Sequence, residues 1–203
     1  MTGRRVSAIV LAGGRSSRFG RDKLAEPLDG RPLLHHAIDA VRPIAGEVLV
    51  VVSPDGAPAL PRDVILVRDR SAFEGPLAGL LAGLDATDAD VVLVTGGDMP
   101  ALVPEVIEAL LTALEARGCE ASVLAHGGRP RPLPMVLRRE AALDAVVRLL
   151  DNDERRLGAL TEDLVTAVID EAVWRGLDPG AATLLDIDTP DDLRRTHETP
   201  AGG

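Results

Sequence analysis

Four cations, Arg15, Arg18, Arg21 and Lys23, fall within nine residues of a chain whose formal net charge is -10. They follow the adjacent glycines Gly13 and Gly14, which in turn follow an apolar run at residues 6–10. Paired glycines at the carboxyl end of a buried strand let the backbone turn sharply and approach a ligand closely, because no Cβ stands in the way. Backbone N–H groups converging on one point, with guanidinium and ammonium groups around them, make an anion site suited to a polyphosphate. The loop therefore predicts binding of a nucleoside triphosphate. It is not a P-loop, since Gly20 precedes Arg21 and Lys23 precedes Leu24. Nor is it a dinucleotide fingerprint, whose later glycines are missing in register. An ordinary glycine turn with solvated arginines is the competing reading of the loop alone.

Carboxylates supply the complement. Asp98 sits in Gly96-Gly97-Asp98-Met99-Pro100 after the apolar run at 91–95, and Asp69 follows another at 64–67. Asp186 and Asp188 alternate about Ile187 near the end of the chain. A strand-end carboxylate suits Mg²⁺, which takes one or two carboxylates plus substrate phosphates rather than an all-protein cage. Asp98 is the first candidate ligand, with either Asp188 or Asp186 as the second. Each aspartate also has a plain structural reading: a turn residue before proline for Asp98, an acid preceding a helix N-terminus for Asp188.

Other polar groups carry weaker signals. Arg129 and Arg131 flank Pro130 in a glycine loop and are open to two roles, meeting an acceptor's phosphate or decorating a solvated turn. His35 and His36 lie in a helical pattern without partners at metal spacing, Arg155 and Arg156 read as a wet helix face, and Ser16-Ser17 has no neighbouring histidine base. Cys119 is the single cysteine, which excludes an internal disulfide and reads as a small buried apolar residue in a reducing cytoplasm.

The elements that must position these groups alternate. Apolar runs of strand length at 6–10, 48–52, 64–67 and 91–95 are separated by helical patterns at 33–41, from Pro76, and from 104 to 117. Pro32 suits a first helical position and Pro76 a first turn. Gly79 and Gly83 cost helix propensity of about 1 kcal/mol each, which suggests close approach of a backbone or a ligand. Strands at 121–125 and 133–137, joined through 126–130, break the simple parallel alternation. Helices are expected at 140–150 and 154–164, strands at 165–169 and 183–187, and a proline-led capping box at Thr189-Pro190-Asp191-Asp192. Continuous apolar strands between helices imply a mostly parallel α/β sheet covered on both faces, with ligands outside the carboxyl ends of the strands. That rule puts the 11–23 loop, Asp69 and Asp98 on one rim. The 203 residues read as a single domain over 1–198 with a flexible tail at 199–203. The acidic balance and the scarcity of aromatics, Phe19, Phe73 and Trp174, exclude general nucleic acid binding. No run is long and apolar enough to span a membrane, and a cytoplasmic protein is expected.

Leu11-Ala12-Gly13-Gly14-Arg15-Ser16-Ser17-Arg18-Phe19-Gly20-Arg21-Asp22-Lys23, continued by Gly30-Arg31-Pro32-Leu33-Leu34, resembles the signature of the MobA-like nucleotidyltransferases. Gly75-Pro76-Leu77-Ala78-Gly79, Asp98-Met99-Pro100-Ala101-Leu102, Arg131-Pro132-Leu133-Pro134 and Asp188-Thr189-Pro190-Asp191-Asp192-Leu193 match later blocks in order. The resemblance implies a glycosyltransferase-A-like, Rossmann-like fold. It also implies transfer of a nucleoside monophosphate from an NTP with Mg²⁺ and release of pyrophosphate. Its nearest branch is molybdenum cofactor guanylyltransferase, with GTP as donor and a molybdopterin-type phosphorylated acceptor, as a monomer or weak homo-oligomer. Carried over, Leu11, Ala12, Gly13, Gly14, Asp69 and Gly79 line the nucleotide, Lys23 binds its phosphates, Arg18, Lys23 and Asp98 are catalytic, and Asp98 and Asp188 hold the metal. That branch often ends in Asn-x-Asn-Thr-Pro and can place an asparagine near the base. This chain has Asp186-Ile187-Asp188-Thr189-Pro190, a form also met in the cytidylyl branch, and no amide around Ser53 and Pro54. Transfer of CMP from CTP, transfer to another phosphorylated small molecule, and a nucleotide-binding regulator are the alternatives.

Overall fold

The central apolar runs do not alternate with polar residues, so both of their faces must be covered. The computed structural model describes residues 5–13, 23–69, 75–189 and 192. The chain runs β1 (Val6–Leu11), a 3-10 turn (Lys23–Ala25), β2 (Pro27–Leu28), β3 (Arg31–Pro32), α1 (Leu33–Val41), β4 (Glu47–Val52), β5 (Ile65–Arg68), α2 (Pro76–Asp85), β6 (Val91–Gly96) and α3 (Pro104–Glu115). It continues through β7 (Ala121–His126), β8 (Arg129–Arg138), α4 (Arg139–Asp151), α5 (Gly158–Asp163), β9 (Thr166–Ile169) and α6 (Glu171–Trp174). Seven strands form one sheet in the order β5-β4-β1-β6-β8-β7-β9. Among the described residues β8 is the one antiparallel member, against both β6 and β7.

Side chains divide between the two faces with the strand period of two. Ala8, Val10 and Val50 pack with Ile38 of α1 and Leu110 of α3. Ile9, Val51 and Val94 pack with Leu80 of α2 and Val146 of α4. Each such fully buried Val, Leu or Ile side chain contributes about 1.5–3 kcal/mol. Close approach on the second face explains Gly83, where a Cβ would stand 2.8 Å from Ile9 Cγ2.

Several expectations need correction. Pro32 closes β3 in extended conformation and α1 begins one residue later. Its strand belongs to a two-stranded hairpin with β2, turned at Asp29-Gly30 with φ of 50° and 77°. Asp-Gly is a strong signal for such a turn. The second half of α4–α5 is not helical from 154, because the Glu154 carboxylate accepts from the N–H groups of Arg155 (2.8 Å) and Arg156 (2.9 Å), and α5 starts only at Gly158. Residues 183–187 are not a strand. Asp178 accepts from the N–H groups of Ala182 (3.0 Å) and Thr183 (2.8 Å), which starts a 3-10 turn at Ala182–Leu184 and withdraws those donors from a ladder. Lastly, the loop at 126–130 is only the two-residue turn Gly127-Gly128, both at positive φ, and β8 starts at Arg129. Cys119 lies half-buried beside the end of α3 rather than in the core. The capping box at 189–192 is present in its reciprocal form: Thr189 N donates to Asp192 Oδ2 (2.7 Å) and Asp192 N to Thr189 Oγ1 (3.3 Å). The helix expected beyond it lies outside the described residues.

Candidate active site

The carboxyl ends of β1, β4 and β6 are bound into one rim by the backbone. Leu11 O accepts from Gly97 N (2.9 Å), Ala12 N donates to Val51 O (2.8 Å), and Asp69 N donates to Val52 O (2.9 Å). Gly13 lies against the strand neighbouring its own, where a Cβ would be 3.5 Å from Ser53 N. A Cβ on Gly79, one turn into α2, would meet Leu11 Cδ2 at 3.8 Å and Asp69 Oδ2 at 3.9 Å. Leu11, Gly79 and Asp69 thus share one patch of the rim, though they are far apart in the chain. Gly14 and Arg18 lie outside the described residues.

Lys23 is the centre of the charged part. Its Nζ donates to Asp98 Oδ2 at 2.6 Å and to Asp188 Oδ1 at 3.0 Å, joining groups 75 and 165 residues apart in sequence. Burial pulls the ammonium pKa down, but the hydrogen bonds and charges of Asp98 and Asp188 outweigh it and hold the group above the ordinary lysine value. Lys23 is therefore cationic at neutral pH. Its side chain is 18% exposed and that of Asp188 53%, so one side of the cluster is open to solvent.

Local sequence explains how each carboxylate is aimed. A Cβ on Gly96 would sit 2.3 Å from Asp98 Oδ1, so glycine is required for that carboxylate to fold back over the strand end. The signal for Gly96 was the doublet of glycines before Asp98. The segment carrying Asp188 is fastened by Ile187, fully buried with Leu28 and Leu33, whose N–H donates to Asp98 O at 3.0 Å. Asp186 and Asp188 leave this anchor toward different cations: Asp186 Oδ2 meets Arg131 at 3.4 Å while Asp188 meets Lys23. Burial pushes the Asp186 carboxyl above the usual carboxylate value, and the charges of Asp98 and Asp188 add to the rise against Arg131 and Lys23.

The donor set fits a divalent cation in one specific way. Among the described residues no three or more His, Cys, Asp or Glu side chains form a site able to hold a metal alone. Asp98 and Asp188 nevertheless turn hard oxygen atoms toward a single positive centre, and a Mg²⁺-type ion needs just such a pair when substrate phosphates complete its shell. The geometry separates these two from Asp186, which faces Arg131.

Sequence reasoning missed the placement of Arg155 against Gly75. Arg155 is not on a helix face: it lies in the loop between α4 and α5, where a Cβ on Gly75 would stand 2.9 Å from the Arg155 Cβ. Gly75, at φ 91°, is the only residue type that permits this contact at the start of α2. His35 and His36 have structural work, bonding Ala59 O (2.8 Å) and Leu28 O (2.7 Å). Among the described residues no helix is long and apolar enough to cross a membrane.

Comparison with known proteins gives the family of the chain. Residues 8–167 match the MobA-like NTP transferase domain. A probable molybdenum cofactor guanylyltransferase of Chloroflexus aggregans is 36% identical over 194 residues, covering 93% of this chain and 92% of the relative. A molybdenum cofactor guanylyltransferase of Shewanella putrefaciens is 31% identical over 154 residues, covering 75% and 78%. The crystal structure of molybdopterin-guanine dinucleotide biosynthesis protein A from Archaeoglobus fulgidus superposes with a TM-score of 0.77 at 26% identity, covering 95% of this chain and 97% of that one. Nucleotidyltransferases of this kind generally use a divalent metal. The α/β sheet, the glycine-bounded rim and the extent of these matches lead to one conclusion: the chain belongs to the MobA-like NTP transferase family.

Proposed function

We propose that this protein transfers GMP from GTP to the terminal phosphate of molybdopterin or its molybdenum-loaded form, releasing pyrophosphate. The observation that carries the reading is the convergence of Lys23, Asp98 and Asp188 at the carboxyl rim beside Leu11, Asp69 and Gly79. The relatives that bear the guanylyltransferase name match over most of this chain, which supports the choice of donor and acceptor. Residues 1–198 act in this proposal as one nucleotidyltransferase domain.

An oxygen of the acceptor's phosphate attacks the α-phosphorus of the nucleotide, a new P–O bond forms, and the bond from that phosphorus to the β-phosphate bridging oxygen breaks. The acceptor oxygen is already anionic, so no protein nucleophile is needed; the protein positions the two substrates and neutralises charge. Backbone at Leu11, Ala12, Gly13 and Gly14 cradles the nucleotide, with Gly79 leaving room and Asp69 beside the nucleoside. Lys23 and Arg18 stabilise negative charge on the α-phosphate and the departing pyrophosphate. Asp98 and Asp188 are the residues that would hold Mg²⁺, which supplies charge neutralisation of the phosphates when bound. Lys23, fixed between Asp98 and Asp188, brings a positive charge to the rim where the phosphates would lie.

The test is pyrophosphate release by the purified protein with molybdopterin and each of GTP, CTP and ATP. Turnover with GTP is expected. Turnover with CTP alone would establish the cytidylyl alternative, which Asp186-Ile187-Asp188 and the lack of an amide near Ser53 favour. Nucleotide binding, seen as a thermal shift, without release of pyrophosphate would overturn the enzyme reading. Ligand at 100 times its dissociation constant adds about 2.7 kcal/mol of stability, so that shift is readily measured.

A further inference from the structure

We propose that Arg131 receives the terminal phosphate of the acceptor, and that Asp186 holds its guanidinium in readiness until that phosphate arrives. This deepens the transfer reading above and rests on it.

Sequence dictates the placement of Arg131. Pro130, Pro132 and Pro134 remove every second N–H donor from the outer half of β8, so this stretch cannot sustain ladders to neighbours on both sides. Accordingly Arg131 pairs with Leu124 of β7, whereas pairing with β6 ends at Met135 and Val94. Beyond Val94 the end of β6 has no β8 neighbour, and the segment carrying Asp186 bridges the interval: Ile187 N reaches Asp98 O at 3.0 Å, and Asp186 reaches Arg131 at 3.4 Å. Arg131 is thereby tied, through one short segment, to the same Asp98 that Lys23 grips.

The guanidinium has capacity left over. A guanidinium carries five N–H donors in a fixed fork. Among the described residues the Arg131 head makes one long contact with Asp186, and its buried Nε has no acceptor. With its side chain 41% exposed, the group is accessible from solvent beside Asp186. A phosphate monoester matches that fork bidentately and replaces one long contact by two short ones. Neighbouring arginines are differently employed: Arg155 donates to Leu150 O and Glu154 O, and Arg129 is exposed at the hairpin turn. Arg131 thus combines nearness to Asp98 with unused donors.

The experiment is steady-state kinetics of Arg131→Ala, Arg131→Lys and Asp186→Asn with molybdopterin and GTP, with GTP affinity measured separately by calorimetry. Arg131→Ala should raise the KM for the acceptor on the order of 10- to 100-fold, the range of one charged hydrogen bond, and leave GTP affinity within about twofold. Arg131→Lys, which retains charge without the fork and covers the case of a poorly folding alanine variant, should fall between. Asp186→Asn, which loosens the hold on the guanidinium, should raise the acceptor KM by less than Arg131→Ala does. An unchanged acceptor KM in a folded, GTP-binding Arg131 variant overturns the proposal, as does a rise in Asp186→Asn equal to that in Arg131→Ala. Calorimetric titration of the GTP-bound protein with inorganic phosphate tests Arg131 without reference to the acceptor: binding by the wild type that Arg131→Ala abolishes supports it, and equal binding by both overturns it. A wild type that releases no pyrophosphate from GTP and molybdopterin would instead count against the transfer reading, leaving the phosphate titration to decide on Arg131.

Discussion

The two ends of the same sheet handle buried polar groups in opposite ways. At the amino end, Ser7 and Thr87 are almost fully buried and both contact Glu47 Oε2, at 2.9 and 2.8 Å, while their hydroxyls lie 2.9 Å from each other. Thr87 Oγ1 also accepts from Ala89 N at 3.2 Å. This network closes on itself beside a cavity of about 550 Å³ and ties β1 and β4 to the turn before β6. At the carboxyl end, Lys23, Asp98, Asp186 and Asp188 carry more negative than positive charge, Arg131 has unmatched donors, and one side is open. A network complete within the protein stabilises the fold, whereas one left incomplete has interactions to offer a substrate.

That contrast is broken most sharply by exchanging effects between the ends. Lys23→Ala or Asp98→Ala should each lower the rate of nucleotidyl transfer by about 10² to 10³, the usual cost of one electrostatic contact to a reacting phosphate or its metal. Near-normal turnover in either variant would remove that residue from the chemistry. Gly96→Ala is the next largest: the new Cβ must push Asp98 Oδ1 aside, and a displacement of about 1 Å is enough for a rate loss on the order of 10²-fold. Its unfolding midpoint in denaturant should stay near that of wild type, because the clash is with the end of a movable side chain.

Thr87→Val at the opposite end should show the reverse. It keeps the shape but strands the Ala89 N–H and one contact of Glu47, at a cost of about 1–3 kcal/mol in unfolding free energy. Its rate constant should match wild type; a large loss of kcat would show that the two ends are coupled. The smallest effect concerns the hairpin turn at the rim. There the Gly127 N–H beside Glu171 holds its carboxyl below the usual carboxylate value, against some burial and with help from His126 and Arg175. A depressed carboxylate contributes stability above its unfolded pKa of about 4.5 and loses it as pH falls through the folded value. Glu171→Gln should therefore melt slightly lower than wild type at pH 7, and the two melting curves should merge in acid. A difference that persists undiminished below the carboxylate range would contradict this account.

Much of this molecule was legible because its signals are local. Uninterrupted apolar runs at β1, β4 and β6 require cover on both faces, and that requirement alone dictates a sheet between helices with its ligands at the carboxyl rim. Leu11, Asp69 and Asp98 could be placed on that rim from strand ends. The missed elements depended on competition for N–H groups by carboxylates a few residues away in the chain. Asp178 diverts the donors of 182 and 183 from a strand, and Glu154 does the same to a helix start. Neither carboxylate differs in composition from the many solvated acids of this chain.

The sequence by itself determined the fold class and the strand ends that make the rim, since these follow from periodicity and backbone freedom; the anion-binding role of the glycine and arginine loop belongs to the proposed function. Only the tertiary structure decided the partners: that Lys23 stands between Asp98 and Asp188, that Asp186 turns instead to Arg131, and that Arg155 rests on Gly75. Such pairings arise from strand order and from where β8 parts from β6. Electrostatic contacts act over a few ångströms in space, whatever the separation along the chain.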